Sequence, residues 1–231
     1  MKSRIVCVII LSVMIWITQT VYSEGNITDN YRYTEIEDGV KLLGYLGKEA
    51  IVNIPYEING KPVTVIGKDC FACNETIWSV NVPENIHTIE EDAFAWSSIH
   101  QIYLPNSLVS IGEGAFYASK ITIIYLPDAI ESLGEYIFAE CHYLRSAYIS
   151  SKITILPKAA FADCSHLLDV YLSDMIHVID VDAFYGCTEL KYIHLPIQLQ
   201  LTYYSSFYET RSLDKEIKTL LEGHYYSEED D

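Results

Sequence analysis

Four short groups of residues carry side chains that could do chemistry. Cys70-Phe71-Ala72-Cys73 has the Cys-x-x-Cys spacing of a redox pair or of half a zinc site. Cys141-His142 and Cys164-Ser165-His166 set a thiol beside an imidazole, the pairing that activates a cysteine nucleophile. Glu90-Glu91-Asp92 and Asp180-Val181-Asp182 concentrate carboxylates. Each group lacks a further requirement. No second Cys pair follows the first at zinc spacing, and no motif supplies the group that would orient a Cys-His pair. The acidic runs lack the turn glycine and the ligand number of a calcium loop, so they read as a solvated rim. No catalytic residue, metal or cofactor is expected, and the chain is not read as an enzyme. What remains for Cys70 and Cys73 is a local disulfide, which an exported protein would favour.

The elements that must carry these groups are repeats. All seven phenylalanines, Phe71, Phe94, Phe116, Phe138, Phe161, Phe184 and Phe207, stand in one series with gaps of 23, 22, 22, 23, 23 and 23 residues. Before each Phe from Phe94 onward lies an apolar-variable-apolar triplet: Val80-Asn81-Val82, Ile102-Tyr103-Leu104, Ile124-Tyr125-Leu126, Ala147-Tyr148-Ile149, Val170-Tyr171-Leu172 and Ile193-His194-Leu195. Alternation over three residues is the period of a strand whose first and third side chains enter a core. Pro follows in four of the six, and its missing amide hydrogen stops pairing. Such a strand is too short to stand alone and must stack on its neighbours at about 4.8 Å, which makes a solenoid. Three columns fill the interior: Ile77 to Leu190, Ile66 to Ile179, and the Phe series. Cys141, Cys164 and Cys187 share one repeat position, and small buried thiols there read as packing.

The middle residue of each triplet faces solvent. Along the solenoid it reads Asn53, Asn81, Tyr103, Tyr125, Tyr148, Tyr171 and His194, with four tyrosines in succession. Tyrosine offers large amphipathic contact area at low entropic cost, which suits a binding surface. It is also a strong strand former that supports a parallel ladder. Both readings stay open at this point. A carbohydrate platform is the alternative use of the same aromatic row.

The ends differ from the repeats. Lys2 and Arg4 precede an apolar run from Ile5 to Ile17, so residues 1–23 read as a signal peptide, too short for a permanent span. Residues 24–50 read as a capping hairpin around Asp38-Gly39, residues 51–207 as about seven repeats, and residues 208–231 as a capping helix and an acidic, disordered tail. The helix would run from Ser212 with Leu213, Ile217, Leu220 and Leu221 on its apolar face. Asn26-Ile27-Thr28 and Asn74-Glu75-Thr76 are glycosylation sequons, usable in a eukaryotic host. With 15 Lys plus Arg against 32 Asp plus Glu the net charge is −17, which repels phosphate backbones and excludes a basic nucleic-acid footprint.

The frame Leu-x-x-Ile-x-Leu-Pro followed by an Ile-Gly pair and Ala-Phe-x-x-Cys, as in Ile111-Gly112-Glu113-Gly114-Ala115-Phe116 and Ala183-Phe184-Tyr185-Gly186-Cys187, resembles the BspA-like, or Treponema-type, leucine-rich repeats. The resemblance covers residues 40–207, and Asn59-Gly60-Lys61-Pro62-Val63 resembles the family's first repeat. It implies a leucine-rich-repeat solenoid with a parallel sheet of short strands on one face and loops on the other. It also implies a secreted or surface protein that binds an extracellular or host protein, in the manner of adhesins.

Overall fold

The computed structural model describes residues 25–28, 30–149, 152–214, 217, 219 and 225–226. The signal segment, residues 1–23, lies outside them.

The chain winds into a parallel β-solenoid in which each coil contributes three ladders. The first is built from the triplets. Ile51–Asn53, Ser79–Asn81 and Gln101–Tyr103 form one sheet, and Ile123–Leu126, Ser146–Ile149, Asp169–Leu172 and Tyr192–His194 form another. Register is kept residue for residue, so Ile124 faces Ala147, Val170 and Ile193 along the core edge. Their burial follows the period of two, inward residues closed off and middle residues open.

The face expected to carry loops also carries a second ladder, of two-residue strands. Thr88–Ile89, Ser110–Ile111 and Ser132–Leu133 pair in parallel, as do Ile155–Leu156 and Val178–Ile179. Two residues are too few to print an alternation in the sequence, although their inward members form the Ile66 to Ile179 column.

The third ladder runs through the Phe corner. The residues two before and two after each Phe from Phe71 to Phe184 have φ between 51° and 69°, and only two of these twelve are glycines. A left-handed conformation costs a non-glycine residue about 1 kcal/mol or more. The alternation turns every second amide toward the next coil, and that offsets the cost. Phe71, Phe94, Phe116, Phe138, Phe161 and Phe184 each donate their N–H to a carbonyl of the following coil at 2.7–3.0 Å. The rings then stack at 4.9–5.4 Å, close to the strand spacing that the backbone imposes.

The hairpin Tyr31–Ile36 and Gly39–Tyr45 closes the N-terminal end and pairs in parallel with Lys61–Ile66. Gly39 has φ 141°, and a Cβ there would sit 2.3 Å from the Pro62 carbonyl oxygen, so no other residue fits this turn. Tyr31 and Tyr45 lay their rings on Phe71 and end the phenylalanine column, which accounts for two of the abundant tyrosines.

At the other end Phe207 closes a 3-10 turn, Tyr204–Phe207. The tail beyond Gly223, expected to be disordered, instead supplies Tyr225–Tyr226, a strand that pairs in parallel with Leu201–Tyr203. Of the expected capping helix, Ile217 and Thr219 are helical, whereas Ser212 and Leu213 lie in a turn and a bend, with Leu213 buried. Leu220 and Leu221 lie outside the described residues.

Candidate functional site

The outward row is held in register by the first ladder. Asn53 faces Asn81 and Asn81 faces Tyr103, while Tyr125, Tyr148, Tyr171 and His194 face one another in turn. The asparagines are linked by a bond from Asn81 Nδ2 to Asn53 Oδ1 at 2.6 Å. The Tyr125 and Tyr148 rings stack at 4.5 Å and 8°, and those of Tyr148 and Tyr171 at 4.8 Å and 5°. Tyr125 is 61% exposed and Tyr171 49%, with Tyr148 half-buried between them. Desolvation, then the flanking phenols, raises the Tyr148 pKa above its usual 10.0.

The row of four tyrosines is divided. Gln101–Tyr103 and Ile123–Leu126 belong to separate sheets, and between them contact runs through the Thr122 amide and hydroxyl onto the His100 carbonyl at 3.2 and 3.3 Å. Tyr103, 60% exposed, thus stands apart from the stack of three. The stacking also decides what the row can offer. Rings packed face to face present their edges and hydroxyls outward, with only the outer faces of Tyr125 and Tyr171 left for a planar partner.

The thiols do structural work. Cys141, Cys164 and Cys187 are fully buried and donate to the carbonyls of Phe116, Phe138 and Phe161 at 3.0, 3.1 and 3.1 Å. Burial pushes the Cys141 thiol up to about 12 and raises the other two well above the usual thiol range, so each stays a neutral donor. The imidazoles beside them turn elsewhere. His142 Nδ1 bonds the Asp163 carbonyl at 2.8 Å and His166 Nδ1 the His142 carbonyl at 2.7 Å.

The expected Cys70–Cys73 disulfide is not present. Cys70 precedes Phe71 in the column otherwise filled by Ala93, Ala115, Ile137, Ala160 and Ala183, and faces the interior. Cys73 occupies the left-handed corner with φ 55° and lies at the partly exposed flank. The sequon residue Asn74 uses its Oδ1 to accept from the Thr76 amide and hydroxyl and from the Ile77 amide, at 2.9–3.0 Å. Asn26 is exposed on the short strand Asn26–Ile27.

A second feature escaped the sequence reading. A cleft of about 390 Å³ opens on the flank between the Phe corner and the triplet strands, with Trp96, Ser97, Lys120 and Tyr143 among its lining residues. Its signal was the pair of 22-residue gaps around Phe116. Among the described residues no group of three or more His, Cys, Asp or Glu is placed to hold a metal ion. No helix among them is long and apolar enough to cross a membrane.

Residues 64–181 and 157–218 match the model of the BspA type leucine rich repeat region, with six copies. Among solved structures the T. pallidum leucine-rich repeat protein TpLRR superposes with a TM-score of 0.79 at 23% identity, covering 88% of this chain and 97% of that one. A leucine-rich repeat protein from Eubacterium ventriosum ATCC 27560 gives 0.60 at 19% identity, covering 81% of this chain and 46% of that one. One from Bacteroides ovatus ATCC 8483 gives 0.55 at 22% identity, covering 77% and 55%. This chain therefore spans about half the length of the latter two. At such identities the likeness concerns the fold. No curated protein sequence gives a significant match. The matched residues take in most of the chain and coincide with the coils that carry the phenylalanine column, and on that ground the chain belongs to the BspA-type leucine-rich repeat family.

Proposed function

We propose that the chain is an exported, secreted or surface-associated protein-interaction module that binds an extracellular or host protein without catalysing a reaction. The observation that carries this reading is the exposed tyrosine row on a rigid parallel sheet, with Asn81 and His194 extending it at either end. Aromatic side chains held rigidly lose little entropy on binding, which is why they dominate interface energetics. Membership of a leucine-rich repeat family, generally a protein-binding fold, supports the class of partner. The neutral buried thiols and carbonyl-tied imidazoles leave no activated nucleophile at the Cys-His groups. Export rests on residues 1–23 and surface binding on the adhesin-like resemblance.

A carbohydrate platform on the same row is the competing reading, and the mutual stacking of Tyr125, Tyr148 and Tyr171 argues against it, because sugars stack on open ring faces. The test is capture of extracellular host proteins by the secreted protein, compared with a Tyr103→Ser/Tyr125→Ser variant. A partner retained by the first and lost by the second, with an unchanged melting temperature, is the expected result. Equal capture by both would overturn the assignment of the face.

A further inference from the structure

The repeat shortens from 23 to 22 residues twice, from Phe94 to Phe116 and from Phe116 to Phe138, and both times at the same place. In the full coils Asn74 and Cys141 are followed three residues later by the core residues Ile77 and Leu144. In the short coils Ser97 and Ser119 are followed two residues later by Ile99 and Ile121. Two short coils therefore lie between full ones, and the flank steps inward across them. That step is the cleft of about 390 Å³: Ser97, Ser98, Ser119 and Lys120 come from the short coils, with Glu75 on one side and His142 and Tyr143 on the other.

Ser97 marks the cleft as unfinished. It is 1% exposed, and its Oγ has no hydrogen-bond partner, whereas the thiols at the same repeat position each reach a Phe carbonyl. A buried hydroxyl left unpaired is costly, and it lines a cleft that a polar ligand could fill.

We propose that this cleft binds a neutral saccharide, at a site separate from the tyrosine row. Both signs of charge line it. The Lys120 ammonium, bonded to Ser98 Oγ at 3.0 Å, opposes a cationic ligand, and Glu75 and Glu140 oppose an anionic one, as does the net charge of −17. A neutral polyol uses both, accepting from Lys120 and donating to the carboxylates. Trp96 and Tyr143 supply apolar surface for the sugar ring. Unlike the rings of the stack, they meet their aromatic neighbours at steep angles, Trp96 on Tyr117 at 62° and Tyr143 on His100 at 53°. The volume lies at the small end of ligand pockets, which suits one or two sugar units.

The test titrates the secreted protein with glucose, galactose, mannose, N-acetylglucosamine, maltose, cellobiose and lactose, by calorimetry and tryptophan fluorescence. At least one should bind with a Kd of about 1 mM or tighter. Tyr143→Ala and Glu75→Gln should each weaken it about tenfold or more without lowering the melting temperature, since both residues are exposed. Trp96→Phe should remove the fluorescence response, and Tyr103→Ser/Tyr125→Ser should change nothing. The proposal is overturned if none of these sugars binds, or if binding survives Tyr143→Ala and Glu75→Gln. Loss of binding in the tyrosine-row variant alone would equally overturn it and return the sugar to that face.

Discussion

The Tyr148 ring lies 4.5 Å from that of Tyr125 and nearly parallel to it, although both side chains leave the outer face of the sheet. A binding residue of this kind also supports its own ladder. Stacked aromatic pairs contribute about 0.5–1.5 kcal/mol beyond area burial. Tyr148→Ala removes two such contacts, and chemical denaturation should register a loss of about 1–3 kcal/mol. Tyr103→Ala, outside the stack, should stay within about 0.5 kcal/mol of the parent. Equal losses at both positions would mean that the stacking contributes nothing.

The phenylalanine column sets the scale of core stability. Phe138 is fully buried with Phe116 and Phe161 stacked on either side at 5.4 and 5.3 Å. Phe138→Ala should cost about 3–5 kcal/mol, because stacked coils whose spacing is held by backbone ladders cannot collapse into the void. Phe207→Ala, at the less enclosed end, should cost less in the same denaturation experiment.

Stability should also depend on the protonation of Asp92. Burial, reinforced by Asp69 and Glu91, raises its carboxyl from 3.8 to about 6. A carboxyl that holds its proton more tightly when folded favours the fold fully below its unfolded value and loses that contribution as pH rises through about 6. Asp92→Asn, which also suits φ 53°, should therefore raise the melting temperature at a pH of about 7.5, with the gain vanishing near a pH of about 4. A variant no more stable than the parent at the higher pH would contradict this.

Thiol reactivity separates the cysteines. Cys73 is partly exposed, whereas Cys70, Cys141, Cys164 and Cys187 are buried with raised pKa values. Native protein should release colour from Ellman's reagent at Cys73, and the other four should respond only on unfolding. A silent Cys73 and a total short by two thiols would instead reveal a Cys70–Cys73 disulfide formed on export.

Much of the coil was legible in the sequence, because each coil repeats one set of constraints. A residue that must be large and apolar at one angular position recurs every 22 or 23 residues, and the Phe series and the triplets print that requirement directly. The direction of the tyrosine row followed from the strand period alone. The second ladder did not show, since Ser110–Ile111 and its equivalents are too short to alternate. Nor did the left-handed corners: Trp96, Ala118, Tyr136 and Glu140 are not residues that favour positive φ, and only the amide bonds to the next coil hold them there.

Contact between coils decided the rest. The identity of each Tyr is local, but whether its ring is free, as at Tyr103, or stacked, as at Tyr148, depends on whether adjacent strands share a ladder. Cys70 and Cys73 have disulfide spacing along the chain, yet one belongs to the alanine column and the other to the corner. The flank cleft was written as two gaps of 22. A missing residue becomes a cleft only when full-length coils stand on both sides of it, and that adjacency arises from stacking across the solenoid, to which no single repeat commits.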